Sequence, residues 1–284
     1  GPAHEIGHIN QFAINWPGCS ESSNNLFSNY VIFKFGKFCS RGTALSELNN
    51  YRVVQDQPFT LISGATHQGE NTELHMRMNW QLFVYFHRVL GDEQFWPRLF
   101  KLLRQTPPVE SNPGWSQLNF AEQACAAANL DLTDFFEMWG FFVPVNTQIE
   151  QYGHYNYIVT EDMINETKQA MSRYRTKAKP FYYLEDRKAG DTGLDTTPPD
   201  VGYYTQFTKP SPITKKIKGV INGREVAITN GEEAVAFELR EKDANGKLLY
   251  FSTFTRFEIP ASVSLTYAKL CAVQADGKRI LLSE

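Results

Sequence analysis

His4-Glu5-Ile6-Gly7-His8 stands at residues 4–8 of the chain, and Glu21 follows with twelve residues between it and His8. On a helix, histidines four residues apart project from one face. One metal ion can therefore reach both imidazoles, with Glu5 beside them to handle the proton of a water molecule. The spacing predicts a helix at the start of the chain and nominates a zinc-dependent hydrolase, most often a peptidase. Gly7 inside that helix costs about 1 kcal/mol relative to alanine, which points to close packing at that spot.

A catalytic zinc takes three protein ligands and keeps a fourth position open, so the two histidines need a partner. Glu21 is the best candidate, because Trp16-Pro17-Gly18 supplies a turn between two helices and brings the next helix back. Asn25 lies one turn after Glu21 on the same face, where it can hydrogen-bond a ligating histidine and fix its tautomer. Glu47 is a weaker alternative ligand, since Gly36 and Gly42 break the route to it. The motif alone is also compatible with an exposed helix face that never meets a metal; the Glu21–Asn25 pair weighs against that.

Outward from this stretch, residues 1–176 read as mainly helical. Glu21 to Phe35 fits one buried helix. Asn71 to Leu90 carries Leu74, Met78, Leu82, Tyr85, Phe86 and Val89 at spacings of three and four, with Trp80, Phe83 and Val84 on the other side, so burial nearly all round is expected. Gly91 ends it, and Asp92 is expected to open an amphipathic helix through Phe95, Leu99, Leu102 and Leu103. Helices follow over Phe120–Leu130 and Leu132–Phe141, the latter with Asp131 as N-cap and Gly140 near its end. Thr160 opens the last, with Glu161 and Asp162 in its first turn. Residues 177–212 hold five prolines and many tyrosines and read as an ordered connector. From residue 213 to 284, Asn222-Gly223, Asn230-Gly231, Asn245-Gly246 and Asp276-Gly277 punctuate short strands, which predicts a small antiparallel β-sandwich. The fold class expected is α+β.

The 284 residues suffice for a substantial core, and the formal charge of −3 gives no basic footprint for nucleic acid. Aromatics reach 14%, which fits a packed core and leaves room for carbohydrate-stacking platforms. The four cysteines form no CxxC pair, though Cys19 and Cys39 are close enough in sequence to pair in an oxidising compartment. No apolar run reaches the ~20 residues that span a membrane.

His4-Glu5-Ile6-Gly7-His8 followed by Gln11, Trp16 and Glu21-Ser22-Ser23-Asn24-Asn25-Leu26-Phe27-Ser28 resembles the enhancin-like, M60-type gluzincin metallopeptidases. Asp131-Leu132-Thr133-Asp134-Phe135-Phe136-Glu137-Met138-Trp139-Gly140-Phe141 is similar to a late helical segment of the same family. The resemblance covers residues 1 to about 175, and the β region resembles accessory domains that such proteins carry. It implies His4, His8 and Glu21 as zinc ligands, Glu5 as catalytic base, and a secreted or cell-surface bacterial enzyme that cuts glycoproteins such as mucins. Family members carry a β-rich lobe before the HExxH helix, so the chain is expected to be the C-terminal part of a longer protein. Weak or absent peptidase activity is expected from it alone, restored by the upstream lobe.

The transition state needs a further donor, for which His67, His75, Tyr51, Arg77 and His154 are open candidates. His75 and His87 lie among core aromatics, where a satisfied core histidine is the expected role. Two other functions compete with the mucin-directed peptidase. One is a glycoprotein- or carbohydrate-binding module with a vestigial metal site. The other is a gluzincin acting on non-glycosylated peptides, against which the absence of a G-x-M-E-N motif counts.

Overall fold

The HEIGH stretch is helical. Helix α1 spans Pro2–Asn10 and runs into a single 3₁₀ turn at Gln11–Ala13. The computed structural model describes residues 2–35, 72–107, 111–179, 181, 212–252 and 254–282. These fall into two compact units, one ending at Ala178 and the other beginning at Lys179.

In the first unit, the single helix expected over Glu21–Phe35 is two: α2, Ser20–Ser23, and α3, Asn25–Lys34. Phe27 N–H bonds the Asn24 carbonyl at 3.2 Å, a three-residue spacing that tightens the chain where the helices join. Helix α4, Thr72–Phe83, continues as a π-helix through Val84–Val89, and Leu90 N–H reaches back five residues to the Tyr85 carbonyl. The wide turn carries Phe86 against Phe95, with ring centroids 3.7 Å apart. As expected, this element is buried nearly all round, from Met76 to Val89.

Helix α5 begins at Phe95 and ends at Gln105, three residues later than Asp92 promised. Asp92 instead sits ahead of the helix, accepting from Gln94 N–H and from the Arg98 guanidinium. Helix α6, Pro113–Ala128, starts well before Phe120, because Asn112 caps it through Gly114 N–H and Pro113 fits the first turn. Helix α7, Thr133–Met138, has Leu132 at its N-cap position, yet Asp131 Oδ1 accepts from Thr133 N–H and does the capping work from one residue earlier. Gly140, at φ +72°, lies just beyond its end. Helix α8, Glu161–Met171, is capped by Thr160 as its sequence predicts.

A hairpin interrupts this helical order. Strands β1, Val145–Glu150, and β2, His154–Val159, pair antiparallel with Thr147 opposite Tyr157 and Ile149 opposite Tyr155. The alternation of Val145, Thr147, Ile149 and of Tyr155, Tyr157, Val159 was the period-two signal for it. Asn112 ties the hairpin to the start of α6, donating to the Ile158 carbonyl and accepting from Ile158 N–H, both at 2.9 Å. A Cβ on Gly114 would stand 2.0 Å from that same carbonyl, so only glycine allows this approach.

The second unit is a sandwich of two antiparallel sheets. Strands β3 (Lys218–Asn222), β4 (Glu225–Thr229) and β7 (Arg256–Glu258) form one in that order. The other has the order β6 (Leu248–Ser252), β5 (Ala236–Glu241), β8 (Ala268–Val273), β9 (Arg279–Leu281). Val226, Phe237, Leu239, Tyr250, Phe257, Leu270 and Ala272 share their core. The β3–β4 loop is Gly223-Arg224 rather than Asn222-Gly223, since Asn222 pairs with Glu225 and Gly223 takes φ +62° at the first loop position. Among the described residues no helix is long and apolar enough to cross a membrane.

Candidate metal centre

Helix α1 presents His4 and His8 side by side, their rings 4.9 Å apart and nearly perpendicular. Glu21 of α2 comes up to both. Its Oε2 lies 3.5 Å from His4 Nε2 and 3.7 Å from His8 Nε2. The two helices meet this closely because Gly7 has no side chain: a Cβ there would stand 2.6 Å from the Asn24 carbonyl oxygen. The glycine that weakens α1 as a helix is what lets the segment carrying Glu21 approach.

Uncharged side chains hold each imidazole. Asn25 Oδ1 lies 3.1 Å from His4 Nδ1, while Asn25 Nδ2 donates to the Glu21 carbonyl at 2.9 Å, so one amide couples a histidine to the backbone of Glu21. In the tautomer that donates from Nδ1 to Asn25, the His4 Nε2 lone pair would be the one available to a metal. Gln11, one turn beyond His8, places its amide 3.0 Å from His8 Nδ1, and Ser23 Oγ lies 2.6 Å from the other end of that amide. Turning the Gln11 amide over gives His8 Nδ1 an acceptor and Ser23 Oγ a donor, the arrangement a metal on Nε2 requires. Asn24 Nδ2 packs against both rings, 3.0 Å from each Nε2 and 3.1 Å from His4 Nδ1.

Glu5 is exposed on α1, and with His4, His8, Gln11, Asn15, Ser20, Glu21 and Tyr152 it lines an open cavity of about 530 Å³. Tyr152, at the tip of the β1–β2 hairpin, donates its hydroxyl to Glu21 Oε1 at 2.7 Å. That hydrogen bond, with the charge of the same carboxylate, raises the Tyr152 phenol above its ordinary value.

The donor set fits zinc. Two imidazole nitrogens and a carboxylate oxygen bind it at about 2.0–2.2 Å in a tetrahedral array, which sets donors a little over about 3 Å apart. The ligand atoms of His4, His8 and Glu21 all lie within 4.8 Å of one another, and two of the separations are near that spacing already. Among the described residues no second group brings three such side chains together.

The other residues singled out by sequence lie elsewhere. His75 is fully buried in α4, 2.6 Å from Ser22 Oγ through Nδ1 and 3.2 Å from Asn79 through Nε2. Burial lowers its pKa to about 3, so it is a neutral prop beneath α2. His87 stacks on Phe83, and burial lowers its pKa as well. His154 is exposed on β2 and pairs with Glu150 at 3.3 Å. Tyr51, His67 and Glu47, the side chain of Arg77, and the Cys39 half of the Cys19–Cys39 pairing lie outside the described residues. Tyr152 and Gln151 carry no spacing that links them to the HEIGH helix. Gln11 did carry one, three residues beyond His8 on the same face.

Helix-borne histidines flanking a glutamate, with a carboxylate delivered by the next helix, define an HExxH-type donor set on an α+β fold. Residues 1–140 match the family model described as peptidase M60, enhancin and enhancin-like, and residues 216–281 match the peptidase M60 C-terminal domain. The chain belongs to the enhancin-like M60 family. A solved metallopeptidase in complex with Tn antigen shares 55% identity and a TM-score of 0.84 over 98% of this chain and 53% of that one. A metallopeptidase from Bacteroides thetaiotaomicron shares 55% identity and a TM-score of 0.85, over 99% of this chain and 49% of that one. The chain thus spans about half the length of these relatives. The M60 catalytic domain of Clostridium perfringens ZmpC, solved with the sialyl T antigen, shares the fold at 14% identity and TM-score 0.57, over 100% of this chain and 50% of that one. No curated protein matches the chain.

Proposed function

We propose that the chain carries the zinc site and general base of an endopeptidase that hydrolyses peptide bonds in O-glycosylated proteins such as mucins. The observation that carries this is the convergence of His4 Nε2, His8 Nε2 and Glu21 Oε2 at the floor of a cavity that Glu5 also lines. His4, His8 and Glu21 would hold the metal. Zinc, when bound there, supplies a Lewis acid that polarises a carbonyl and acidifies water.

Glu5, free of the ligand set and facing the cavity, accepts a proton from the attacking water and passes it to the leaving amine, a role typically contributing ~10²–10⁴-fold. Asn25 and Gln11 keep the two imidazoles in the tautomer and orientation that ligation needs. The substrate class follows the 55%-identical metallopeptidase solved with Tn antigen, an affinity that supports a glycan-bearing peptide over a bare one. Substrates of that kind are met outside the cell, so secretion or surface display belongs to the same proposal.

Elemental analysis should find about one zinc per chain. A Tn-bearing glycopeptide should be cut, its unglycosylated counterpart spared, and Glu5→Gln should retain zinc while cleavage disappears. Because the relatives are about twice as long as this chain, the cleavage assay belongs on a protein of their length. A Glu5→Gln protein that still cuts at the wild-type rate would sink the assignment of the base. A zinc-replete protein that binds the glycopeptide and never cuts it would favour a binding module.

A further inference from the structure

We infer that the tip of the β1–β2 hairpin is a positioning device for the third metal ligand: Gln151 seats the loop that leads into α2, and Tyr152 holds Glu21 with one carboxylate oxygen turned to the histidines. This rests on the zinc-site proposal above and adds to it a part of the chain 131 residues beyond Glu21.

Three contacts fasten the loop. Trp16 Nε1 donates to Tyr157 Oη at 3.0 Å, and that hydroxyl in turn donates to Gln117 at 2.7 Å, within the core. Gln151, buried, accepts through one oxygen from Gly18 N–H at 2.8 Å and Ser20 N–H at 3.2 Å. Gly18 itself takes φ +99°, a turn that brings these two amides toward one acceptor. The position of Ser20 fixes where α2 starts, and Glu21 is the next residue.

Tyr152 then acts on the side chain. Its backbone is left-handed at φ +55°, a conformation that costs a tyrosine and that a glycine would take without strain. The ring is 75% exposed, so core burial does not offset that cost. What the side chain does is reach Glu21 Oε1 at 2.7 Å. With Oε1 engaged, Oε2 is the oxygen that faces His4 and His8. A carboxylate without that bond can rotate and offer either oxygen or both; the phenol selects one-oxygen ligation and removes a freedom that metal binding would otherwise have to freeze. Strain kept at a site where it orients a functional group is the pattern expected of a positioning residue.

The test compares wild type, Tyr152→Phe, Tyr152→Gly and Glu21→Ala in a chelator-competition titration with zinc, with the cobalt(II) absorption spectrum as a report on ligand geometry. Tyr152→Phe removes one hydroxyl from an exposed ring, so the fold is kept, and zinc affinity should fall about tenfold with an altered cobalt spectrum. Tyr152→Gly should raise the melting temperature while lowering zinc affinity, because relief of the strained φ and loss of the hydroxyl act in opposite directions. Glu21→Ala should lose more affinity than either. Zinc affinity and cobalt spectrum unchanged in Tyr152→Phe would overturn the inference. So would a loss of turnover with metal binding intact, which would make the hydroxyl a group acting on substrate. A wild-type chain that binds no zinc would remove the metal site itself, a result visible before any variant is made.

Discussion

Glu21 and Glu238 are both carboxylates drawn into folded structure, and they are treated in opposite ways. Glu238, on β5 of the sandwich, is fully buried. Burial pushes its pKa up, but Arg240 and Arg279, each with Nε 2.5 Å from Oε2, more than reverse this and hold it below the ordinary carboxylate range. Two guanidinium groups pair its charge. Glu21 is a third exposed and faces two imidazoles, a phenol and neutral amides. The difference suggests a way to tell a structural carboxylate from a candidate ligand: the first is paired with fixed guanidinium cations of the protein, whereas the second faces imidazoles, a phenol and amides, the surroundings that the proposed metal site calls for.

The sharpest way to break this contrast is to remove the cations from the first site. Replacing both Arg240 and Arg279 with methionine should cost about 3–5 kcal/mol by stranding a buried charge, read as a lower denaturation midpoint of the second unit with zinc content unchanged. A smaller loss would mean that Glu238 escapes to solvent or takes up a proton. At the other site, Glu21→Ala should leave the folding midpoint of the metal-free chain nearly untouched. Its zinc affinity should drop by more than the ~10–100-fold typical of losing a hydrogen-bond partner of a ligand. An unchanged affinity would move the third ligand elsewhere.

Acid should act next. His75 is held neutral with a pKa of about 3, so between that value and 6.5 the unfolded chain binds a proton that the folded chain refuses. Stability therefore falls as pH falls through that window, by about 1 kcal/mol per pH unit, and a His75→Gln variant should show a shallower slope in urea unfolding. Equal slopes would place the titration elsewhere. The smallest effect sharpens the role of the amides: Asn25→Asp keeps an acceptor for His4 Nδ1 and should hold zinc, whereas Asn25→Leu should weaken it about tenfold. Equal affinities in the two would show that the contact does not orient the ring.

Much was legible in residues 2–25 because local geometry governs them. A four-residue spacing puts His4 and His8 on one helix face whatever surrounds them, Gly7 announces a close neighbour, and the Trp16-Pro17-Gly18 turn points the next helix back. Capping by Thr160 and the sandwich beyond residue 213 were likewise written in short-range chemistry. The burial of His75 among core aromatics was legible too, but the hairpin in a region read as helical, the break at Asn24 and the identity of Ser22 as the His75 partner were not, since each depends on contacts that local periodicity does not set. Gln11 stands between the two cases: its face follows from periodicity, but its bond to Ser23 does not. The sequence by itself determined which atoms can bind a metal and on what element they ride. Only the tertiary structure decided that Gln151 meets the loop before α2 and that Tyr152 meets the Glu21 carboxylate, because hydrogen bonds across some 130 residues are set by packing and leave no periodicity to read.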